Sequence, residues 1–519
     1  MNSSEKGTTL RTMWDYQVSA HPQATFLCFV VADSAETSEY SYAEFDRRVN
    51  RSANLLMSMG VSHGDRVALQ LHNSVEFVEC LLALAKIGGV CVPLNAANTA
   101  SECGYILDTC GVSLLISDPA LYKEPGMSGL IDHVLLTDPN ATTGYQRLRD
   151  AQRDVLGPVE DLRGSDLVEI MFTSGTTANP KGVMLTNANF LFSGWYVNWQ
   201  LAMNPQDRYF TTMAVTHANF QLSALTPVIT SGSTLILVNR FSATRFWREV
   251  RYTEATLVQS MAMIAHTTMV QPVNPHEKDH HVRYVHYFLP LKDEEKEAYE
   301  RRFNVTIVNN YGSSESLVGV ITDVPFGPTN WPSIGRVGLG YGVRIVDGEG
   351  HDVAANECGE ILIKGIPGVS LMLGYWHDDE ATAQALDADG WYHSGDFGWC
   401  DDRGWYFFAG RGADLIKRAG ENVSALCVEQ VLIHAPGVED AAVFGIPDAV
   451  RDEAVVAVVV PSAGAHPTEQ SIEEYASQHL AYFKVPSIIE FRESLPRGHY
   501  GKVLKNELRE EAKLTYGKE

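Results

Sequence analysis

The 519-residue sequence predicts an α/β protein whose large N-terminal part consists of helix-covered β-sheets. Three observations support this fold class. Helical and strand-like runs alternate from about residue 20 to residue 330, short glycine-punctuated strands follow from about 333 to 408, and helices and strands alternate again after Arg411. Strands that alternate with helical runs are typical of parallel sheets covered by helices.

Hydrophobic spacing places the elements of the N-terminal part. Residues with a helical apolar period mark helices, and short apolar runs mark strands. The predicted helices are 45–59, 75–87 and 244–252, and the predicted strands are 66–71, 90–94, 167–172, 233–238 and 305–308.

The C-terminal half contains two smaller predicted units. Glycine-bounded strands at 342–346, 359–364 and 404–408 predict a small, mainly antiparallel, β-barrel-like subdomain over about 333–408. Helices at 428–434 and 472–480, with strands at 441–445 and 454–460, predict a small α+β domain. We therefore expect an N-terminal domain over residues 1–410, which includes the barrel-like piece, and a C-terminal domain over 411–519.

Composition limits the class of partner. The formal net charge of −24 argues against nucleic acid or an anionic membrane as the main partner. The eight cysteines form no C-x-x-C pair, so we expect small buried side chains and neither a disulfide framework nor a zinc site. Because the start lacks an apolar signal core and no apolar run reaches 18 residues, we expect a cytoplasmic protein without membrane insertion.

The segment 173–182, T-S-G-T-T-A-N-P-K-G, is the most informative part of the chain. It follows a predicted strand and combines small residues, hydroxyls and one lysine, a composition suited to holding phosphate oxygens. A plain surface loop is the alternative, but it has no need of the Pro-Lys-Gly end. The candidate phosphate ligands are Thr173, Ser174, Gly175, Thr176, Thr177 and Lys181.

Two further segments carry side chains suited to a nucleotide site, and each has a structural alternative. In N-Y-G-S-S-E, Tyr311 offers a stacking ring and Glu315 a metal ligand, although Tyr-Gly is also common in turns. In W-Y-H-S-G-D, Asp396 is suited to two ribose hydroxyls, or to an Asx turn that satisfies only its own backbone.

The last two segments are basic. Arg411 and Lys417 bracket an apolar stretch where the pattern of elements changes, which indicates either a hinge that carries charges into a site or a solvated basic turn. Lys502 lies beside a glycine near the C-terminus, where a lysine is usually a solvated tail residue.

Taken together and in this order, these segments resemble the adenylate-forming superfamily of acyl-CoA synthetases, firefly luciferases and peptide-synthetase adenylation domains. The resemblance extends from about residue 10 to residue 508 and includes G-E-I-L-I-K-G at 359–365 and G-R-x-x-D-x-I-K at 410–417. It implies an enzyme that uses ATP and Mg²⁺ to convert a small-molecule carboxylic acid into an acyl-adenylate and then an acyl-CoA thioester. It also implies a mobile C-terminal domain that rotates between the two half-reactions.

The resemblance assigns residues to these tasks. The implied ATP- and AMP-binding residues are the six phosphate ligands named above with Tyr311, Gly312, Ser314, Asp396 and Arg411. Glu315 and Thr176 would hold Mg²⁺. Lys502 would serve the adenylation step, Lys417 would belong to the segment presented for thioester formation, and His217 would lie beside the acyl pocket.

One branch, the carnitine/crotonobetaine-CoA ligases, is the most similar. L-R-T-M-W-D at 10–15 and W-P-S-I-G-R-V-G at 331–338 carry this similarity. The acyl pocket would then contain His217 and a cation–π cage for a trimethylammonium group, lined by Trp195, Tyr196, Trp199, His286 and Tyr287. The alternative is that these aromatic residues belong to an ordinary core.

The resemblance leaves substrate and acceptor open. It favours carnitine, crotonobetaine or γ-butyrobetaine, with another small, aryl or medium-chain acid as the alternative. Loading of a carrier protein in place of CoA also stays open, and so does a homodimer. A nucleotide-sensing scaffold is disfavoured, because it would not need Lys181, Glu315, Asp396, Arg411 and Lys502 together.

Overall fold

The computed structural model describes residues 8–32, 34, 36–122, 131, 133–138, 140–141, 144–173, 180–288, 291, 293–317, 319–411, 415–418, 421–448, 452–480, 482–497 and 503–516. The chain divides into two compact units, Met1–Gly342 with Ile363–Tyr392 and Val343–Leu362 with His393–Glu519. No helix in the described ranges has both the length and the apolar character that a membrane crossing requires. The domain boundary between residues 410 and 411 stays a prediction.

A nine-stranded sheet in the first unit has six parallel strands at its centre and antiparallel strands at both edges. In spatial order its strands are β15 (Arg336–Val337), β14 (Ile321–Thr322), β13 (Ile307–Tyr311), β12 (Tyr284–Phe288), β11 (Leu257–Met261), β9 (Arg208–Thr211), β10 (Thr234–Val238), β1 (Thr25–Val31) and β2 (Glu36–Ser41). β10 is buried along its whole length, as is typical of a parallel strand covered on both faces. The carboxyl ends of the parallel strands lie at one edge of the sheet, the edge where ligands bind in such folds.

A six-stranded sheet in the same unit carries the glycine- and threonine-rich segment. In spatial order its strands are β6 (His133–Leu136), β5 (Leu114–Ser117), β3 (Arg66–Gln70), β4 (Val90–Pro93), β7 (Leu167–Thr173) and β8 (Lys181–Thr186). The first five run parallel, and β8 turns back antiparallel to β7. The two sheets confirm the predicted helix-covered α/β class.

Capping residues decide where the helices of this unit begin and end. The helix predicted from residue 45 begins at Tyr42, because the Ser41 hydroxyl accepts from the Glu44 amide while Glu44 accepts from Ser41. The helix Val75–Ile87 has the predicted bounds, and Gly88 ends it with a φ of 76°. The other helices are Leu10–Ala20, Ala100–Cys110, Tyr145–Asp150, Asn187–Leu201, Ala218–Phe220, the π-helical turn Gln221–Leu225, Thr226–Ser231, Phe246–Tyr252, Ala262–Met269, Asp293–Phe303 and Asp379–Ala385.

Two smaller sheets lie in the C-terminal half of the chain. One has the order β16 (Gly342–Val346), β17 (Gly359–Lys364), β18 (Trp391–Cys400) and β19 (Tyr406–Arg411). The other has the order β21 (Glu421–Ser424), β20 (Leu415–Arg418), β23 (Asp452–Pro461) and β22 (Val438–Asp448), with β24 (Ile488–Phe491) beside β23. The helices here are Ala425–Leu432, Glu469–His479, the 3₁₀ turn Tyr482–Lys484 and Lys505–Tyr516. Strands and helices in this half confirm the small C-terminal α+β unit.

Candidate active site

The two ends of the 173–182 segment are paired in the β7–β8 ladder. Thr173, the last residue of β7, lies opposite Lys181, the first residue of β8. Gly182 comes next, and a Cβ atom there would lie 2.8 Å from Cγ2 of Ile170, closer than real Cβ contacts. The predicted phosphate ligands Ser174, Gly175, Thr176 and Thr177 lie outside the described residues. The strands therefore fix where this segment starts and ends, and its phosphate-binding role stays a prediction.

Lys181 lies against an aromatic ring that sequence reasoning missed. Its Nζ atom is 5.1 Å from the centroid of the Tyr375 ring, a cation–π distance. The chain around Tyr375 runs along β8, because the Leu373 amide donates to the Met184 carbonyl at 3.0 Å and the Trp376 amide donates to the Gly182 carbonyl at 2.7 Å. This pairing places the ring of Tyr375 beside Lys181, the lysine of the 173–182 segment.

Glu315 is held through both its main chain and its side chain. Its carbonyl accepts from the Met372 amide at 2.8 Å, and its Oε1 atom accepts from the Tyr375 hydroxyl at 3.1 Å. Burial and the neighbouring Glu315 charge raise the pKa of Tyr375, so the phenol stays protonated and acts as the donor. The same tyrosine therefore contacts the predicted metal ligand and the predicted phosphate ligand.

The other residues of N-Y-G-S-S-E leave β13 at the carboxyl edge of the large sheet. Tyr311 ends the strand and is buried, Gly312 is exposed, and Ser314 is half-buried. The Ser313 amide donates to the Ser316 hydroxyl at 2.9 Å, which fixes the turn that presents Glu315. The predicted contacts of Tyr311, Gly312 and Ser314 with a nucleotide stay predictions.

His217 begins the helical segment that follows β9. Its Nδ1 atom accepts a hydrogen bond from the Asn219 amide at 3.1 Å, so the proton of the neutral ring lies on Nε2. Protein atoms around the ring lower the pKa of His217, while part of the side chain is exposed. The predicted place of this neutral imidazole beside an acyl pocket stays a prediction.

A buried carboxyl group in β7 is a second residue that sequence reasoning missed. Glu169 has no exposed surface, and burial raises its pKa well above the ordinary value, an effect that the nearby Gln221 side chain partly offsets. Gln221 begins the π-helical turn after His217, and its Nε2 atom donates to the Val215 carbonyl at 3.0 Å. The strand that ends at Thr173 therefore contains a neutral acid beside the turn that follows His217.

His286 lies inside the nine-stranded sheet, where it connects three strands. Its Nδ1 atom is 2.6 Å from the Tyr209 hydroxyl of β9, and its Nε2 atom is 2.8 Å from Nδ2 of Asn310 in β13. Burial lowers its pKa to about 3, so it is neutral near pH 7. The structure therefore gives His286 a sheet-bridging role, and its predicted place in the acyl pocket stays a prediction.

The aromatic residues predicted for the acyl pocket differ in exposure. Tyr287 is fully buried, whereas Trp195 and Trp199 are 48% and 39% exposed on the helix Asn187–Leu201. Tyr196, between them, is buried and meets Trp199 edge-on at a centroid distance of 5.4 Å. A cage built from Trp195, Trp199 and Tyr287 stays a prediction.

The second unit carries the remaining predicted residues. Asp396 of β18 is buried and lies opposite Arg411 of β19 in the ladder. Its amide donates to the Ser394 hydroxyl at 3.0 Å, which in turn donates to the Ile361 carbonyl at 2.6 Å. Lys417 lies in β20 opposite Asn422, and Lys502 lies outside the described residues. The nucleotide and catalytic roles of these four residues stay predictions.

Two family patterns match most of this chain. The AMP-binding enzyme pattern matches residues 14–376, and the AMP-binding enzyme C-terminal domain pattern matches residues 427–502. The chain therefore belongs to the AMP-binding enzyme family. Within that family it is an AMP-forming acyl-CoA ligase, as the following relatives support.

Curated relatives that match nearly the whole chain carry a ligase description. The crotonobetaine/carnitine–CoA ligases of Salmonella paratyphi A and Salmonella typhimurium LT2 are each 39% identical over 513 residues, which is 97% of this chain and 99% of the relative. This confirms the resemblance to the adenylate-forming superfamily and to its carnitine/crotonobetaine branch.

Solved structures of related enzymes have the same fold. ATP-bound MatB from Rhodopseudomonas palustris is 26% identical with a TM-score of 0.83, and the match covers 98% of this chain and 100% of that one. A Mycobacterium tuberculosis fatty acyl CoA synthetase is 29% identical with a TM-score of 0.77 over 98% and 99%. The large sheet domain and small C-terminal domain are thus the architecture of this family.

Proposed function

We propose that this acyl-CoA ligase activates a small betaine acid, with carnitine, crotonobetaine or γ-butyrobetaine as the favoured substrates. The observation that carries the proposal is the 39% identity, over 97% of the chain, to ligases described as acting on crotonobetaine and carnitine. Because the match covers nearly the whole chain, it includes the segments proposed to surround the acyl group as well as those proposed to bind nucleotide.

The reaction would proceed in two steps. A carboxylate oxygen of the acid attacks the α-phosphorus of ATP, the bond to the bridging oxygen of the β-phosphate breaks, and pyrophosphate leaves. The CoA thiol then gives up its proton and attacks the acyl carbonyl, and AMP leaves with the bonding electron pair. Charge spreads over phosphate oxygens in the first step, so fixed cations and donors are the main requirement.

The chain supplies side chains for each requirement. Lys181 and the rest of the 173–182 segment would hold the β- and γ-phosphates, Tyr311 would lie against adenine, and Asp396 would bind the ribose. Lys502 would stabilise the adenylation transition state, and Arg411 would lie near Asp396. Lys417 would serve the thioester step, and His217 would border the acyl group.

Magnesium fits the residues of the first unit. Glu315 provides carboxylate oxygens, which Mg²⁺ prefers together with substrate phosphates, and its position is fixed by Met372 and Tyr375. Glu315 would therefore hold the ion, with Thr176 as a second proposed ligand. When bound, the ion would neutralise charge on the phosphate oxygens.

A pyrophosphate-release assay over a panel of acids, with and without CoA, tests the proposal. We expect the highest kcat/KM for the betaine acids and acyl-CoA formation with free CoA, which would also argue against a carrier protein as the acceptor. Strong turnover of a fatty or aryl acid without any betaine-dependent signal would overturn the substrate assignment.

A pair of lysine variants tests the assignment of Lys502. Lys502→Ala should still bind ATP but release no pyrophosphate. The matched control is Lys505→Ala, since Lys505 pairs with Glu429 at 2.7 Å and has no assigned catalytic role. These assays do not test the predicted cytoplasmic location or whether the protein forms a homodimer.

A further inference from the structure

Tyr375 contacts two residues of opposite charge in the candidate active site. Its hydroxyl donates to Oε1 of Glu315 at 3.1 Å, and its ring lies 5.1 Å from Nζ of Lys181. Tyr375 is only 7% exposed, so neither contact is replaced by bulk water. A buried hydrogen bond to a charged group and a partly desolvated cation–π contact are both stronger than their exposed counterparts.

The backbone keeps this tyrosine in one place. The Met184 amide donates to the Gly374 carbonyl at 2.9 Å, and the Trp376 amide donates to the Gly182 carbonyl at 2.7 Å, on either side of Tyr375. The Met372 amide donates to the Glu315 carbonyl at 2.8 Å. One short segment thus connects β8 with the loop that carries Glu315, and Tyr375 is the side chain that spans the same two elements.

The hydroxyl leaves the carboxylate able to bind a cation. A phenol has one proton to donate, and that proton is directed at Oε1 of Glu315. A carboxylate has about four lone-pair sites, so most of them stay available for a metal ion. The hydrogen bond therefore orients Glu315 without replacing the ligand that the carboxylate would bind.

We propose that Tyr375 is a positioning residue that fixes the separation between the Glu315 carboxylate and the Lys181 ammonium, and thereby prepares the first unit for magnesium-bound ATP. The inference rests on the proposed roles of Glu315 and Lys181. Tyr375 acts through these two side chains and needs no contact with the nucleotide.

ATP binding at a series of magnesium concentrations, measured by titration calorimetry without any acid, tests this inference free of turnover. Tyr375→Phe keeps the ring under Lys181 but removes the hydroxyl, so the half-saturating magnesium concentration should rise about tenfold. Tyr375→Leu also removes the ring, and should weaken ATP binding even without magnesium.

Tyr341→Phe is the matched control. The Tyr341 hydroxyl lies within hydrogen-bond distance of the main-chain carbonyls of Ser316, at 2.8 Å, and Ser370, at 2.9 Å. This variant therefore removes a tyrosine hydroxyl that contacts the same loop without touching Glu315. We expect its magnesium dependence to equal that of the wild type, while melting curves report any loss of stability in both variants.

Glu315→Gln distinguishes an error in the positioning role of Tyr375 from an error in the magnesium-binding role of Glu315. If it raises the magnesium requirement while Tyr375→Phe behaves as the wild type, the positioning role is wrong and the role of Glu315 stands. If neither variant changes the magnesium dependence, the assignment of Glu315 is wrong and the inference falls with it.

Discussion

Nε2 of His286 accepts a hydrogen bond from Nδ2 of Asn310 at 2.8 Å, and Asn310 directly precedes Tyr311. The amide is a donor, so the proton of the neutral ring lies on Nδ1, where the Tyr209 oxygen accepts it at 2.6 Å. An imidazolium would instead direct an N–H group at the amide N–H₂ group. The surroundings of His286 therefore favour the neutral ring, both by burial and by hydrogen-bond direction.

We expect the stability of the protein to fall in acid through His286. Burial lowers its pKa from 6.5 to about 3, so below pH 6.5 the unfolded chain binds a proton that the folded chain does not. The free energy of unfolding is then lost as the pH falls, by about 1.4 kcal/mol per pH unit. His286→Gln should lose about 2 kcal/mol less than the wild type between pH 7 and pH 5, measured by urea unfolding.

The control for this experiment is the exposed histidine His466, and His466→Gln should keep the pH profile of the wild type. Equal acid slopes for the wild type, His286→Gln and His466→Gln would contradict the assignment.

Glu169 should have the opposite pH dependence. Burial raises its pKa, so above an ordinary pKa of 4.5 the unfolded chain loses a proton that the folded chain keeps, and stability falls as the pH rises. Glu169→Gln removes this titration, so it should gain stability relative to the wild type between pH 5 and pH 8, by up to about 1.4 kcal/mol per pH unit.

Urea unfolding at four pH values measures the difference. Glu439→Gln is the control, because Glu439 is exposed. A constant difference across that range would contradict a protonated Glu169.

Local patterns predicted the elements well where apolar spacing and capping agree. The run 75–87 has both a clear period and flanking Ser74 and Gly88, so its bounds are correct. The preceding helix begins three residues earlier than its apolar period, because a polar capping box starts it. Apolar spacing alone cannot predict a helix start that polar capping residues determine.

The site residues that sequence reasoning missed depend on pairing between distant segments. Tyr375 becomes meaningful only when its segment lies along β8 beside Lys181, and no local pattern indicates that pairing. Glu169 lies in a run that is otherwise apolar, and its neighbour Gln221 belongs to another element. Glu315 and Asp396, in contrast, are indicated by local patterns, because each lies in a short segment typical of the family, and their roles stay predictions.

Glu79 should be a main contributor to the stability of the first unit. Its carboxylate has no exposed surface and accepts from Arg149 at 3.0 Å, from Arg48 at 2.9 Å and from the Tyr145 hydroxyl at 2.7 Å. Glu79→Gln removes the buried counter-charge of Arg149, which then keeps only the more exposed Asp150 at 2.8 Å, so we expect a loss of about 3–5 kcal/mol in urea unfolding. Glu76→Gln, one turn away, removes only a half-exposed contact at 3.9 Å and should cost about 0–1 kcal/mol. Equal losses in the two variants would contradict the large effect on the free energy of unfolding that we assign to Glu79.

Gly182 tests whether the β7–β8 ladder sets the nucleotide site. A methyl group there would meet Cγ2 of Ile170 at 2.8 Å and Cζ of Phe172 at 3.1 Å, so Gly182→Ala must displace these β7 side chains or β8 itself. Because Thr173 and Lys181 are paired at the end of this ladder, the displacement should increase the distance between these two residues of the 173–182 segment. We expect a loss of about 1–3 kcal/mol in stability and weaker ATP binding by calorimetry.

In the matched variant Gly164→Ala, the new methyl group would lie 3.8 Å from Cβ of Ala188, an ordinary contact, and ATP affinity should not change. Wild-type ATP affinity in Gly182→Ala would mean that the segment binds phosphate without the geometry of its two strands.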